Sequence, residues 1–405
     1  MQFKYDLCVI GGAGHIGLPF SLTFAHKGLN VIAYDLNQTA LELIAKGKVP
    51  FMEEGAEDLL AEALSLKKIT FSSDASVVSS AKTIVVTIGT PVDEFMNPEF
   101  RGIQNVFRTL LPFIKNEQLV ILRSTVYPGT TDWLGGFLNS MGRSPLISFC
   151  PERVVQGKAI AEILSLPQIV SGTTPEAEEA ASRLFNFIGV EIVRLSPMEA
   201  EFAKLFSNAY RYILFAIANQ FYMICNSSNV DYERVLDGVK YKYPRLEGLP
   251  GAGFAAGPCL FKDTMQLNSF SKNAFFLGQA AMNVNEGLVL YIVDCIESMV
   301  DLKQTTVGLL GMAYKSDNDD MRSSLSYKMK KLVGFKAKNV LTTDPYVPND
   351  PELKPLEVVI NESDILLLCV PHGQYKHMDT KGKRVIDIWG YLGLGTRIAE
   401  QREEI

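Results

Sequence analysis

Residues Tyr5 to Ile10 form a short apolar run rich in branched side chains, followed by a glycine-rich string and a helix-like segment to Lys27. That order is strand, tight turn, helix. The next apolar run, Asn30 to Tyr34, ends at Asp35, and further runs fall at Thr83 to Ile88, Leu119 to Leu122 and Leu146 to Phe149. Strands alternating with helical patterns predict a parallel, doubly wound sheet. The C-terminal part repeats the plan. Thr306 to Leu310 leads into Gly311-Met-Ala-Tyr-Lys315, Asn339 to Thr342 ends at Asp344-Pro345, and Asp364 to Val370 and Arg384 to Ile388 complete the series. Between the two lies a helical region opened by Ser196-Pro-Met-Glu199, where Ser can cap, Pro can sit in the first turn and Glu can complete a capping box. Neither Gly nor Pro interrupts Met198 to Ser228, a helix of about 45 Å at 1.5 Å per residue. A second helix-like run from Lys262 to Asp301 is broken only by Gly278 and Gly287. The expected architecture is α/β: two Rossmann-like doubly wound domains, 1–195 and 303–405, joined by a long-helix central domain, 196–302.

Composition narrows the class. At 405 residues and 47% hydrophobic the chain is too long for a single core. The net charge of −6 is modest and the lysines and arginines are dispersed, which argues against a nucleic-acid surface. The most apolar helical stretch, Tyr212 to Cys225, is too short to span a bilayer and contains Asn219 and Gln220. Six scattered cysteines without a C-x-x-C pair argue against a metal site and predict reduced thiols, and no leader precedes the first strand, so a cytoplasmic protein is expected.

The candidate chemistry begins at Gly12-Ala-Gly14-His15-Ile16-Gly17, with Asp35 ending the next strand. A lone glycine string is weak evidence and can be a plain α/β turn. Between strand and helix, with an acid about 20 residues on, it is the dinucleotide fingerprint: glycines admit the pyrophosphate and the acid takes the ribose diol. Asp35 would repel a 2′-phosphate, so the expected cofactor is NAD. Lys204 and Asn208 stand at i and i+4 on the long helix and can serve a developing oxyanion together, or form a polar stripe facing solvent. Thr125 and Glu152-Arg153 follow strands of the first sheet, at the ends where ligands bind in open α/β folds; either Thr125 or Glu152 could instead cap a helix. In Gly251-Ala-Gly-Phe254-Ala-Ala-Gly257-Pro-Cys259-Leu-Phe-Lys-Asp263, Cys259 stands at a helix start, where free N–H groups favour thiolate, with Asp263 one turn later. The other reading is a small buried hydrophobe, the common fate of a free cysteine.

With these residues assembled, the chain resembles the nucleotide-sugar 6-dehydrogenases, the UDP-glucose and UDP-N-acetylhexosamine dehydrogenase family, over essentially its full length. The motifs that carry the resemblance are the glycine fingerprint, Gly89-Thr90-Pro91-Val-Asp93-Glu94, Ser124-Thr125-Val126, Pro151-Glu152-Arg153, Lys204-x-x-x-Asn208, Gly257-x-Cys259-x-x-Lys262-Asp263 and Gly311-Met-Ala-Tyr-Lys315 through Arg322. The resemblance implies a four-electron oxidation of the sugar C6 alcohol to a carboxylate, with two NAD used in succession and Cys259 carrying a thiohemiacetal and then a thioester. It assigns Lys204 and Asn208 to the oxyanions, Asp263 to proton transfer, and Thr125 and Glu152 to the hydrolytic water. Thr90, Pro91, Thr125 and Arg322 join the NAD site; Glu152, Arg153, Lys204, Asn208, Arg245, Phe254, Gly257 and Lys315 join the UDP-sugar site. It also implies a homodimer through the central helices, with Arg245 contributed by the neighbouring subunit.

Some positions depart from the pattern. Gln156 stands where the UDP-glucose enzymes usually carry a second glutamate, and the Pro-Glu-Arg-Val and Thr-Pro-Val-Asp-Glu strings look more like the N-acetylhexosamine branch, the UDP-N-acetylmannosamine enzymes especially. UDP-glucose is the alternative substrate. A two-electron hydroxyacid-type dehydrogenase and a non-catalytic NAD-responsive protein are the competing classes; the first needs no thiol, and the intact Cys259, Lys204, Asn208 and Asp263 argue against the second. His372, in Pro371-His372-Gly373, is expected in a loop or nucleotide contact.

Overall fold

The first strand, β1 (Tyr5–Ile10), is followed by α1 (Gly17–His26), β2 (Val31–Tyr34), α2 (Gln38–Ala45), α3 (Ala56–Ser65), β3 (Ile69–Ser72), β4 (Ala81–Val86), α4 (Phe100–Leu110), β5 (Leu119–Leu122), α5 (Thr130–Ser140) and β6 (Leu146–Phe149). These strands form one parallel sheet in the order β3-β2-β1-β4-β5-β6, the arrangement of dinucleotide-binding folds. A computed structural model describes residues 3–90, 92–93 and 100–398, so Pro91 and Glu94 of the expected cofactor loop lie outside the described residues. Helix α1 is buried from Gly17 to Ala25, and its two hydroxyls are satisfied inside the helix, Ser21 donating to the Gly17 carbonyl and Thr23 to that of Pro19. That lets a Leu- and Phe-rich helix lie wholly within the core under the sheet.

After β6 come α6 (Ala159–Ser165), β7 (Gln168–Val170), α7 (Pro175–Asn186) and β8 (Ile192–Arg194), with β7 and β8 paired as a separate small parallel sheet. Helix α8 (Pro197–Ser227) then runs for 31 residues. Half of the capping box forms at its start: Glu199 Oε2 accepts the Ser196 N–H at 2.8 Å, while the Ser196 hydroxyl donates to the same carboxylate at 2.7 Å.

The remaining elements are α9 (Tyr232–Lys240), α10 (Leu260–Phe270), α11 (Phe276–Glu297), β9 (Thr306–Leu310), α12 (Leu325–Gly334), β10 (Asn339–Thr343), α13 (Leu356–Glu362), β11 (Ile365–Leu368) and β12 (Arg384–Ile386). Strands β9 to β12 make a second parallel sheet, ordered β10-β9-β11-β12. The helical run expected from Lys262 to Asp301 breaks at Lys272 and Asn273, whose φ angles are +55° and +62°, while Gly278 and Gly287 lie inside α11.

The chain divides into two units, Met1–Ser207 and Asn208–Ile405. The second unit has one core for helices and sheet: Tyr222, Leu288, Ile292 and Ile296 of α8 and α11 pack in one cluster with Val307, Leu309 and Leu367. A pair of helices with that much apolar surface needs a sheet to cover it.

Candidate active site

In the first unit the glycine string leaves β1 and enters α1 in one tight turn. Ile16 precedes the helix, and a Cβ on Gly17 would stand 2.1 Å from the Gly11 carbonyl oxygen, so only glycine lets the turn fold onto the helix start. Gly12 and Gly14 complete the turn beside it. Asp35, at the end of β2, accepts the Ala13 N–H at 3.0 Å and the Asn37 N–H at 3.0 Å, one on each oxygen. Its remaining lone pairs suit a ribose diol, so these residues fit NAD.

His15 projects from the same turn against Phe51, with ring centroids 4.1 Å apart, and meets Gln156, Nε2 to Nδ1, at 2.8 Å. The position that departs from the UDP-glucose pattern therefore bears on the dinucleotide turn. Thr90 and Thr125 come together after β4 and β5, the Thr90 hydroxyl donating to the Thr125 carbonyl at 2.6 Å.

Glu152 is 7% exposed. One of its oxygens accepts the N–H groups of Arg153 and Val154 at 2.7 and 2.8 Å, and the other faces Arg123 Nη2 at 2.5 Å. Arg123, which sequence reasoning passed over, is itself buried between the rings of Phe20 and Phe185 and donates to Gln168 at 2.9 Å. A buried cation with this many partners holds Glu152 as an immobile carboxylate. The Arg153 guanidinium donates to the Pro167 carbonyl. Lys204 is half-buried on α8, one turn before Asn208.

In the second unit Cys259 is the N-cap residue of α10, with φ −111° and ψ −54° and no side-chain cap bond. Of the six cysteines it alone is exposed. Cys150, by contrast, is fully buried, and burial pushes its thiol up to about 12. The Cys259 carbonyl accepts the Asp263 N–H at 2.9 Å, which places Asp263 one turn behind the sulfur. Asp263 is 0% exposed, accepts from Asn208 Nδ2 at 2.6 Å on one oxygen and pairs with Lys262 Nζ at 2.5 Å on the other. Lys262 belongs to the cysteine motif, but the sequence alone assigns it no role.

The approach to the thiol is set by Gly257. Its φ of +104° is left-handed, its N–H donates to the Ser323 carbonyl at 3.2 Å, and a Cβ there would lie 2.6 Å from the Tyr314 ring. Arg322 binds Asp320 through Nε at 2.9 Å and Nη2 at 2.6 Å. Its guanidinium is held in the charged form first by its hydrogen bonds to Asp320. Burial pushes the Tyr314 hydroxyl up, with Asp320 and Cys259 adding to it. Lys315 is half-buried, with its ammonium 5.9 Å from the Tyr314 ring centroid.

Two further residues expected at the substrate, Arg245 and Phe254, lie in contrasting surroundings. Arg245 stands on an exposed turn, within 5.9 Å of the Tyr243 ring. Phe254 is 6% exposed and packs edge-on to Trp389 in the core of the second unit. Its ring packs there because a phenyl gains most by leaving water entirely. Among the described residues no group of three or more His, Cys, Asp and Glu is placed to hold a metal ion, and no helix is long and apolar enough to cross a membrane.

Sheet order, glycine turn and Asp35 define a dinucleotide-dependent oxidoreductase. The chain belongs to the UDP-glucose/GDP-mannose dehydrogenase family, matching its NAD binding domain over residues 5–188, its central domain over 198–287 and its UDP binding domain over 308–393. It is 27% identical over 380 residues to the UDP-N-acetyl-D-mannosamine dehydrogenase of Pyrococcus horikoshii, covering 91% of this chain and 90% of that one. It is 28% identical to the NDP-N-acetyl-D-galactosaminuronic acid dehydrogenase of Ralstonia nicotianae, covering 94% of each. A solved structure of the UDP-D-ManNAc dehydrogenase from Pyrococcus horikoshii superposes with a TM-score of 0.86 at 26% identity, over 92% of this chain and 91% of that one. The chain is thus an NAD-dependent UDP-sugar dehydrogenase.

Proposed function

We propose that the protein oxidises the C6 alcohol of a UDP-N-acetylhexosamine, of the UDP-N-acetylmannosamine type, to the carboxylate through a covalent adduct on Cys259. The observation that carries this reading is the exposed thiol at the start of α10 with the Asn208–Asp263–Lys262 cluster one turn behind it. The acetamido sugars in the names of the two relatives support the branch. Two molecules of NAD bound in succession would supply the oxidant, one hydride acceptor for the alcohol and one for the thiol adduct. Cys259 adds through sulfur to the aldehyde carbon, keeps it from escaping between the oxidations, and departs as thiolate when water attacks the thioester. Lys204 and Asn208 stabilise the oxyanions; loss of one such donor costs about 3 kcal/mol, a hundredfold or more in rate. Asp263 orients the Asn208 amide and takes part in proton transfer. Thr125 and Glu152 order the water; the fixed carboxylate of Glu152 suits holding it better than deprotonating it.

The test is stoichiometry. Two NADH should form per UDP-sugar consumed, and one would sink the thioester route. Cys259→Ser should lower acid formation on the order of 10⁶-fold, the scale of removing a covalent nucleophile, while NAD binding persists. UDP-N-acetylmannosamine, UDP-N-acetylglucosamine and UDP-glucose assayed side by side decide the branch.

A homodimer through α8 belongs to the same reading. Phe206, Tyr210, Ile217, Phe221 and Ile224 are all exposed and fall within about 60° of one another around the helix, an apolar stripe about 27 Å long. Such a stripe marks an interface. Phe221→Asp should yield monomers in sedimentation, and an unchanged dimer would reject this surface.

A further inference from the structure

His372 has no part in the chemistry above, yet it is 0% exposed and both ring nitrogens are committed. Nδ1 accepts the Asp317 N–H at 2.9 Å, which leaves Nε2 to donate to Asp344 Oδ2 at 3.0 Å. That carboxylate oxygen also accepts the N–H groups of Met312 and Ala313, at 2.6 and 2.9 Å. Asp317 returns a second link, its Oδ1 accepting the Gly373 N–H at 2.8 Å, and it is held at φ +50°, a conformation other residues keep only when contacts impose it. Lys315 stands midway, two residues from Ala313 and two from Asp317.

We propose that His372, together with Asp344, is a positioning residue for UDP-sugar binding: the pair grips the loop on both sides of Lys315 and fixes where that ammonium meets the substrate. The inference rests on the reading of Lys315 as a substrate residue. The neutral imidazole is the form the geometry requires, since Nδ1 receives an N–H. The groups facing the ring are Asp344, Asp317 with its carboxylate 3.9 Å from Nδ1, and the rings of Tyr346 and Tyr375 at 5.0 and 5.5 Å.

Two conservative variants of the full-length enzyme separate the halves of the grip. His372→Gln can reach Asp344 with its amide but abandons the Asp317 N–H; His372→Asn keeps an acceptor near Nδ1 and abandons Asp344. The Gln variant should raise KM for the UDP-sugar about tenfold, the scale of one lost buried hydrogen bond, with KM for NAD within about twofold and kcat little changed. The Asn variant should stay closer to wild type, within about threefold, at a lower melting temperature. Equal UDP-sugar KM values in the two variants, or parallel rises for UDP-sugar and NAD, would overturn the assignment. Should the Asn variant fail to fold, calorimetric UDP-sugar binding by the Gln variant decides, and affinity equal to wild type refutes the grip. Wild-type enzyme that bound no UDP-sugar while binding NAD would instead refute the substrate reading itself.

Discussion

The two sheets begin with the same device and put it to different ends. In the first unit Gly11 donates its N–H to the Tyr34 carbonyl at 3.0 Å, and in the second Gly311 donates to that of Thr343 at 2.9 Å. In each, an aspartate at the end of the neighbouring strand accepts N–H groups from the turn, Asp35 from Ala13 and Asp344 from Met312 and Ala313. The chain then diverges. Helix α1 begins at Gly17, close behind β1, whereas β9 is followed by a long loop that reaches α12 only at Leu325. A helix start adjoining its turn is an anion site for a pyrophosphate; a turn separated from its helix is free to carry side chains such as Lys315 and Arg322. The aspartates diverge with them. Asp35 keeps lone pairs available, while Asp344 also accepts Tyr346 and Val347 N–H groups and His372 Nε2, with its side chain 0% exposed. A carboxylate so saturated is a structural hub and no ribose ligand.

Substituting both aspartates gives the largest separation between the units. Asp344→Ala strands four backbone N–H groups and an imidazole, and should destabilise the second unit by about 3 kcal/mol or more, the scale of breaking a buried charged network. Asp35→Ala, which removes two backbone N–H bonds at a half-buried position, should cost less, about 1 kcal/mol, and raise KM for NAD instead. Thermal melts and NAD titrations of the two variants check this. Matching losses of stability would erase the contrast.

The sequence carried the turn, the aspartates and the thiol because each lies on a local pattern: glycines at fixed spacing, an acid ending an apolar run, a cysteine before a helix. Strands β3 and β7 to β8 escaped notice for physical reasons. Ile69–Ser72 is a four-residue strand following Lys67 at φ +54°, with only Ile69 buried, so its apolar signal is weak. The break after α10 falls at Lys272 and Asn273, where the Asn273 N–H is taken by the Asn268 carbonyl; asparagine accepts the left-handed conformation, but a lysine beside it gives no local signal. The surroundings of Arg123 and Phe254 were not legible for a different reason. Each exchanges the role its residue type suggests for one its neighbours impose, an arginine buried between two phenyl rings and a ring in a glycine-rich loop turned into the core. Such partners are distant in sequence, and local pattern does not hold them.

The smallest effect lies inside the second unit, where two buried aspartates should answer acid in opposite directions. Burial alone would raise the Asp344 carboxyl, but His372 and the backbone N–H groups outweigh it and hold it below the usual range. At Asp387, at the end of β12, burial is the largest influence and raises the carboxyl, prevailing over the N–H groups of Leu392, Tyr391 and Trp389 and the charge of Lys376. The signs follow. A lowered carboxyl contributes stability above its unfolded pKa that is lost as pH falls through its folded value, whereas a raised one takes up its proton more readily when folded, so acid favours the fold there. Between about pH 5 and about pH 3, spanning the usual aspartate range, Asp344→Asn should flatten the acid loss of melting temperature and Asp387→Asn should steepen it. Each changes the slope by at most about 1.4 kcal/mol per pH unit, the limit for one proton. Scanning calorimetry across that range measures both, and slopes moving in the same direction would mean that the imidazole and the extra N–H donors around Asp344 do not distinguish the two carboxylates.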